Sequence, residues 1–239
     1  MPASRSTEPI MQRRTFVLGA AALMLAAPCW AIGLNNLSRT EATSGLKDAL
    51  VQGSRTAVAQ LSAPGGFLDN EKVRIPLPDS LARIEGGLRM MGMGQQADDL
   101  RTAMNRAAEM AVKEATPLLV DSVKKMSVSD AKEILGGPSD AATQYFRRTT
   151  SDALAERFLP IVKQATAKVQ LAEQYNRFAG QASQFGLIDE KDANLDSYVT
   201  SRALDGLFTV IAEQEQAIRK NPAAAATSIA KKVFGALKY

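Results

Sequence analysis

The sequence predicts an all-α protein, an irregular multi-helix bundle in one domain. Three observations carry that expectation. Alanine, leucine, glutamine, lysine and glutamate dominate, and runs of β-branched residues are rare. Apolar residues recur at helical spacing over long segments, as in Ala97, Leu100, Met104, Ala107, Ala108 and Ala111. Cap and breaker signals divide these segments at irregular intervals, and no repeat period recurs.

Residues 1–31 stand apart from the bundle. Met11-Gln12-Arg13-Arg14-Thr15-Phe16 places paired arginines ahead of an apolar run, 16–27, and Pro28-Cys29-Trp30-Ala31 supplies small residues for a signal peptidase. The run of 12 residues is far shorter than the roughly 20 that span a bilayer. The segment reads as a twin-arginine-like export signal starting at Met11, cleaved near Ala31, which places the mature protein in the periplasm without a stable membrane span. Leu25-Ala26-Ala27-Pro28-Cys29 resembles a lipoprotein box, but Pro28 stands where a small residue is required.

Cleavage after Ala31 leaves 32–239 as one helical domain of 208 residues, large enough to bury roughly 70% of its unfolded surface. Within that domain, Ser38-Arg39-Thr40-Glu41 has capping-box spacing and opens a helix through about Leu61, ended by Ala63-Pro64-Gly65-Gly66. Phe67 to Pro78 is an extended connector, because Pro76 and Pro78 each exclude helix at the preceding residue. Asp79 is expected to cap a short helix to about Met91. Gln95 to Lys125 is the longest periodic segment, with Asp98, Thr102, Asn105, Glu109 and Lys113 on its polar face, and Pro117 should kink or split it. Ser127 and Ser129 are read as caps of a brief helix ending at Gly136-Gly137. Pro138 to about Leu171 forms the next helix, bent near Pro160, and Tyr175 to Phe185 a further short one. Asn194 starts a long helix through Arg219, and Pro222 opens the last, through about Leu237.

Composition narrows the chemistry. Of 29 basic residues, Arg5, Arg13 and Arg14 lie in the leader; of 25 acidic residues, only Glu8 does, so the mature domain carries a net charge of +2. That balance gives no reason to expect nucleic acid. The chain has no histidine and a single cysteine, Cys29, which leaves with the leader. Ser-His-Asp and Cys-His catalysis and thiolate or imidazole metal sites are therefore excluded, and no cofactor or metal is expected. Gly92-Met93-Gly94-Gln95-Gln96-Ala97 matches a dinucleotide fingerprint, but a helix precedes it where a strand is required, so it reads as a turn using glycine's positive φ. Asp192-Ala193-Asn194-Leu195-Asp196 begins like a calcium loop, but Ser197 and Ala203 occupy the positions of the glycine and the bidentate glutamate.

Two sets of residues stand out as binding candidates. Gly136-Gly137 before a helix start, followed by Ser139, Thr143 and Arg147 at four-residue spacing, forms a candidate anion site. Asp140 at the same terminus is the competing occupant of its donors. Asn105 and Glu109, one turn apart, form the second set, with Glu109 a candidate base if the Ile75–Pro78 connector encloses it. Tyr145 is expected to turn inward with its hydroxyl paired. Lys124-Lys125, Arg147-Arg148 and Lys231-Lys232 read as solvated basic pairs, and Glu215 and Arg219 as a helix-surface ion pair.

Several blocks taken together resemble a bacterial family of exported helical proteins catalogued only as a domain of unknown function. They are Ile75-Pro76-Leu77-Pro78, Met104-Asn105-Arg106-Ala107-Ala108-Glu109 and Ala142-Thr143-Gln144-Tyr145-Phe146-Arg147. Phe158-Leu159-Pro160, Ala203-Leu204-Asp205-Gly206-Leu207-Phe208 and Ile218-Arg219-Lys220-Asn221-Pro222 follow in the same order, covering about Leu34 to Leu237. The resemblance implies an all-helical envelope protein and brings no reaction, ligand or partner with it. The chain reads as a non-enzymatic binding or interaction module of the cell envelope, its ligand or protein partner unspecified. A carboxylate-dependent envelope enzyme using Glu109, and a scaffold for envelope assembly, are the alternatives.

Overall fold

The computed structural model describes residues 38–184, 193–225 and 227–236. The leader, Asp192, the end of the helix read to Phe185 and the C-terminus beyond Ala236 lie outside the described residues. Helix α1 spans Arg39–Ser62, and its start is the reciprocal cap its sequence announces: Ser38 Oγ accepts from Glu41 N–H at 3.1 Å, and Glu41 Oε2 accepts from Ser38 N–H at 3.0 Å. After it, residues 63–78 run as an ordered loop without strand pairing, burying Phe67, Val73, Ile75 and Leu77.

Helices α2 (Asp79–Met90) and α3 (Gly94–Ala111) form a hairpin. Asp79 is the first helical residue of α2; Pro78 holds the cap position, so no side chain caps this end. The turn is built on Gly92 at φ 80°, with Met93 N–H bonded to Leu88 O and Gly92 N–H to Arg89 O, the reciprocal pattern that needs a left-handed residue after a helix. Arg89 and Arg101 share Glu85 and Asp98 across the two helices at 2.8–2.9 Å. Of α2, only Leu81 is buried, so α2 lies at the periphery while α3 enters the core.

Pro117 does split the long periodic segment. A 3-10 turn, Val112–Glu114, separates α3 from α4 (Ala115–Lys125), and Pro117 falls in the first turn of α4, where its missing N–H breaks no internal bond. Helix α5 (Val128–Gly136) is capped by Ser127 with Asp130 completing the box; Ser129 lies inside the helix. Helix α6 (Ala141–Thr166) starts later than Pro138 and stays helical through Pro160, whose ring sits on an exposed face where water can meet the freed carbonyl. It ends before Leu171, and α7 (Gln170–Gln184) begins after a turn at 167–169 that no glycine or proline marks.

Helix α8 (Leu195–Lys220) opens at Asn194, whose Oδ1 accepts from Asp196 and Ser197 N–H. A 3-10 turn, Pro222–Ala224, leads to α9 (Ser228–Ala236). Helix α6 packs most extensively on α8 and α3, while α1 is flanked by α9, α8 and α4. Phe146, Phe158, Phe208, Leu100, Met104 and Leu154 fill the centre with no exposed surface beyond 1%. Gly206 lets the connector close on α8: a Cβ there would stand 2.6 Å from Phe67 Cε1. The described residues form a single all-α domain, and no helix among them is long and apolar enough to cross a membrane.

Candidate functional site

The 63–78 connector has extended stretches but no neighbouring strand, so its buried backbone groups must find side-chain partners. Asn105 of α3 supplies them as a strand would. Its Oδ1 accepts from Ile75 N–H at 2.8 Å, and its Nδ2 donates to Ile75 O at 2.9 Å and to Arg101 O at 2.8 Å. One turn on, Glu109 Oε1 accepts from Phe67 N–H and Leu68 N–H, both at 3.2 Å, and Oε2 accepts from Arg106 at 2.6 Å. Tyr198 Oη adds a bond to Pro76 O at 3.2 Å. Asn105 is fully buried and Glu109 is 4% exposed. Of the polar face expected to meet water, Thr102 and Lys113 are exposed, but Asn105 and Glu109 meet the connector's unpaired amides instead.

That enclosure gives the Glu109 carboxylate a structural task. A general base needs a lone pair within reach of a substrate proton. Both carboxylate oxygens here already accept charge-assisted or backbone bonds.

The start of α6 does receive an anion, and the anion belongs to the chain. Glu215 of α8 accepts from Ala142 N–H and Thr143 N–H at 3.0 Å each, and from Thr143 Oγ1 at 2.9 Å. Arg219 reaches Glu215 Oε1 through Nε at 3.1 Å and a terminal nitrogen at 2.8 Å, and also donates to Ile134 O at 2.9 Å. Glu215 and Arg219 are 6% and 5% exposed, so the expected surface pair is a buried one. Helix register explains the correction. Leu195, Val199, Ala203, Leu207 and Ile211 are buried at four-residue spacing, and Glu215 and Arg219 continue that stripe.

The predicted anion-site residues do not converge. Ser139 is exposed before the helix; Thr143 bonds Glu215. Arg147 turns to α8, 3.0 Å from Asp205 and 4.7 Å above the Phe208 ring. Asp140, the competing candidate, accepts from Gln144 instead. Tyr145 points inward as expected and donates to Ser122 O at 2.9 Å. A small cavity of about 20 Å³, with room for about one water, lies beside Glu215 and Arg219 among Leu50, Ser54 and Phe234.

An open cleft of about 420 Å³ between α4 and α6 was not anticipated. Lys125, Asp130 and Arg148 line it, and Leu118 and Ala153 form apolar edges. The signal for it in the sequence was the pair of dibasic steps, each of which looked like an ordinary solvated face.

The fold and its buried polar anchors define an all-helical domain in which α3 and α8 each carry a carboxylate that ties down another segment's backbone. Residues 36–235 match the family described as "Protein of unknown function (DUF4197)", and the chain belongs to it. No curated protein and no solved structure matches the chain.

Proposed function

We propose that this protein is exported to the bacterial periplasm and there binds a target without transforming it. The observation that carries the binding reading is the division of polar groups. Glu109 and Glu215 are engaged in holding backbone, while the cleft between α4 and α6 opens cationic side chains to solvent. Three of the roughly four lone-pair positions of the Glu109 carboxylate are taken by the Phe67 and Leu68 amides and Arg106, which commits it to structure rather than to proton abstraction. Export is supported by the Arg13-Arg14 start, the short apolar run and the small residues around Ala31.

The scaffold alternative draws on α2 and the residue that caps its end: Ile84 is 53% and Met91 75% exposed, with half-buried Leu88 between them. Apolar side chains left in water at such spacing suit contact with another envelope protein.

The test is expression of the full chain with its leader in a Gram-negative host. The exported protein is then recovered, its N-terminus sequenced and its native mass measured. A start near Ile32 and an added mass from a retained molecule are expected. An acylated Cys29 at the terminus would place the protein on the membrane, and an intact leader in the cytoplasm would overturn export. A mass equal to the bare polypeptide in every preparation counts against binding of a small ligand.

A further inference from the structure

The dibasic steps Lys124-Lys125 and Arg147-Arg148 divide their members in the same way. The first of each is engaged in an ion pair: Lys124 Nζ lies 3.1 Å from Asp121 Oδ1, and Arg147 lies 3.0 Å from Asp205 Oδ1. The second of each, Lys125 and Arg148, lines the cleft between α4 and α6, and neither has a carboxylate at ion-pair distance among the described residues. Twenty-two residues separate Lys125 from Arg148 in the chain, so only the packing of α4 on α6 brings them to one opening.

That packing is fixed from below. Tyr145 Oη donates to Ser122 O at 2.9 Å, and the Ser122 and Thr149 hydroxyls lie 2.7 Å apart. Thr149 also donates to Tyr145 O at 2.8 Å, so Ser122 is the donor between the two hydroxyls and the floor of the cleft has no spare proton to offer. Recognition is left to the cations. Arg148 is kept over the Tyr145 ring at 5.8 Å, a position that leaves the edge of its guanidinium available.

Two carboxylates line the same cleft, one paired with a lysine and the other hydrogen-bonded at a helix start. Asp121 holds Lys124. Asp130 Oδ2 accepts from Ser127 Oγ at 2.7 Å and Ser127 N–H at 2.9 Å, at the positive end of α5. The Ser127 hydroxyl, then its N–H, hold the Asp130 carboxyl below its ordinary range, with Arg148 adding a weaker pull through space.

We propose that this cleft is a binding site for a phosphate group, free or carried on a small molecule or a lipid headgroup, held between the Arg148 guanidinium and the Lys125 ammonium. A guanidinium alone saturates a carboxylate through its two-pronged contact. A second cation on a different helix suits a group with three terminal oxygens and up to two charges. Leu118 and Ala153 at the rim give the rest of such a molecule an apolar edge to lie on. The proposal rests on the reading of this chain as a binding protein and names the chemistry of its ligand.

The experiment is titration of the exported protein with inorganic phosphate at fixed ionic strength, read by calorimetry, in the wild type and three variants. Arg148→Gln and Lys125→Gln are expected to weaken binding about tenfold each, the scale of one lost charge-assisted contact. Lys231→Gln, on α9 and outside the cleft lining, is expected to bind as the wild type does. All three side chains are exposed, and an unchanged melting temperature confirms that each variant is folded. Flotation with phosphatidylcholine vesicles, with and without phosphatidic acid, separates the sources. Retention only with phosphatidic acid, lost in Arg148→Gln, assigns a lipid headgroup; phosphate binding without retention assigns a soluble ligand. Absence of phosphate binding to the wild type, or equal affinity in wild type and Arg148→Gln, overturns the proposal. A different molecule retained in the native mass, with no phosphate binding, would sink this site and leave the binding reading standing.

Discussion

Replacing Glu215 by alanine removes the acceptor for two backbone amides at the start of α6, for the Thr143 hydroxyl and for Arg219. Were the pair on the helix surface, its loss would cost a few tenths of a kcal/mol. Buried as it is, removal takes the carboxylate from a guanidinium that is 5% exposed and leaves Ala142 N–H and Thr143 N–H without partners. Breaking a buried pair from one side costs about 3–5 kcal/mol, and the stranded amides overlap with that figure, so about 4 kcal/mol is expected. For a domain of this size, each kcal/mol lowers the melting temperature by roughly 2–4 °C, giving a fall of roughly 8–16 °C. Urea unfolding and thermal melts followed by far-UV circular dichroism measure both quantities. Glu215→Gln keeps the volume but turns an amide donor toward other donors, and should lose roughly half as much. In the double variant Glu215→Ala/Arg219→Met, the cation left without its carboxylate is gone, so the total loss should fall below the sum of the single losses. A loss under about 1 kcal/mol for Glu215→Ala, with simple additivity in the double variant, would refute the account of α8 as the anchor of α6.

The remaining predictions concern the connector and acid sensitivity. Asn105→Ala leaves Ile75 N–H without its acceptor and should cost about 2–3 kcal/mol in urea unfolding, with faster hydrogen exchange at the Ile75 amide. On the opposite wall, Gly206→Ala drives a methyl group into Phe67 and should cost about 1–3 kcal/mol; a neutral result would mean that the connector is not tightly seated on α8. Glu85 is held below its ordinary range by bonds from Arg101 and then Arg89, and Asp98 chiefly by the bond from Arg89. Because their folded-state values lie below the unfolded ones, their stabilisation is complete above about pH 5 and is lost as pH falls below about 4. The urea midpoint should therefore drop over that interval, and the drop should be smaller in Glu85→Gln; the same drop in both proteins would show that the α2–α3 quartet is not its source.

Local signals in the sequence carry local structure because the atoms involved are close in the chain. Ser38 with Glu41, Asn194 before Leu195 and Gly92 after α2 each act within one turn, and each is found where its residues stand. Pro117 is of the same kind: its ring and missing N–H act on the preceding turn, and the break falls there. The turn at 167–169 has no such marker, and the reading carried the helix through it. Asp79 and Ser129 show the limit of such reading, since a capping residue type one or two positions past the cap looks much the same on paper.

The sequence by itself determined the helical class, most element boundaries, the helix-free connector that ends at Pro78 (extended only from Arg74 on, with turns before it) and the chemistry excluded by a chain without histidine. It also contained every residue of the buried anchors, yet it did not say which partner each would meet. Asn105 and Glu109 looked like a polar face until the unpaired amides of Phe67, Leu68 and Ile75 were laid across them. Glu215 looked like one half of a surface pair until α8 turned it onto the first amides of α6, 73 positions away in the chain at Ala142. Lys125 and Arg148 came to one cleft only when α4 packed on α6. Capping and helical periodicity follow from bonds spanning three or four residues, and sequence spacing encodes them. A buried carboxylate's partner depends on which orphaned backbone group long-range packing brings within 3 Å, and that is decided only when the helices assemble.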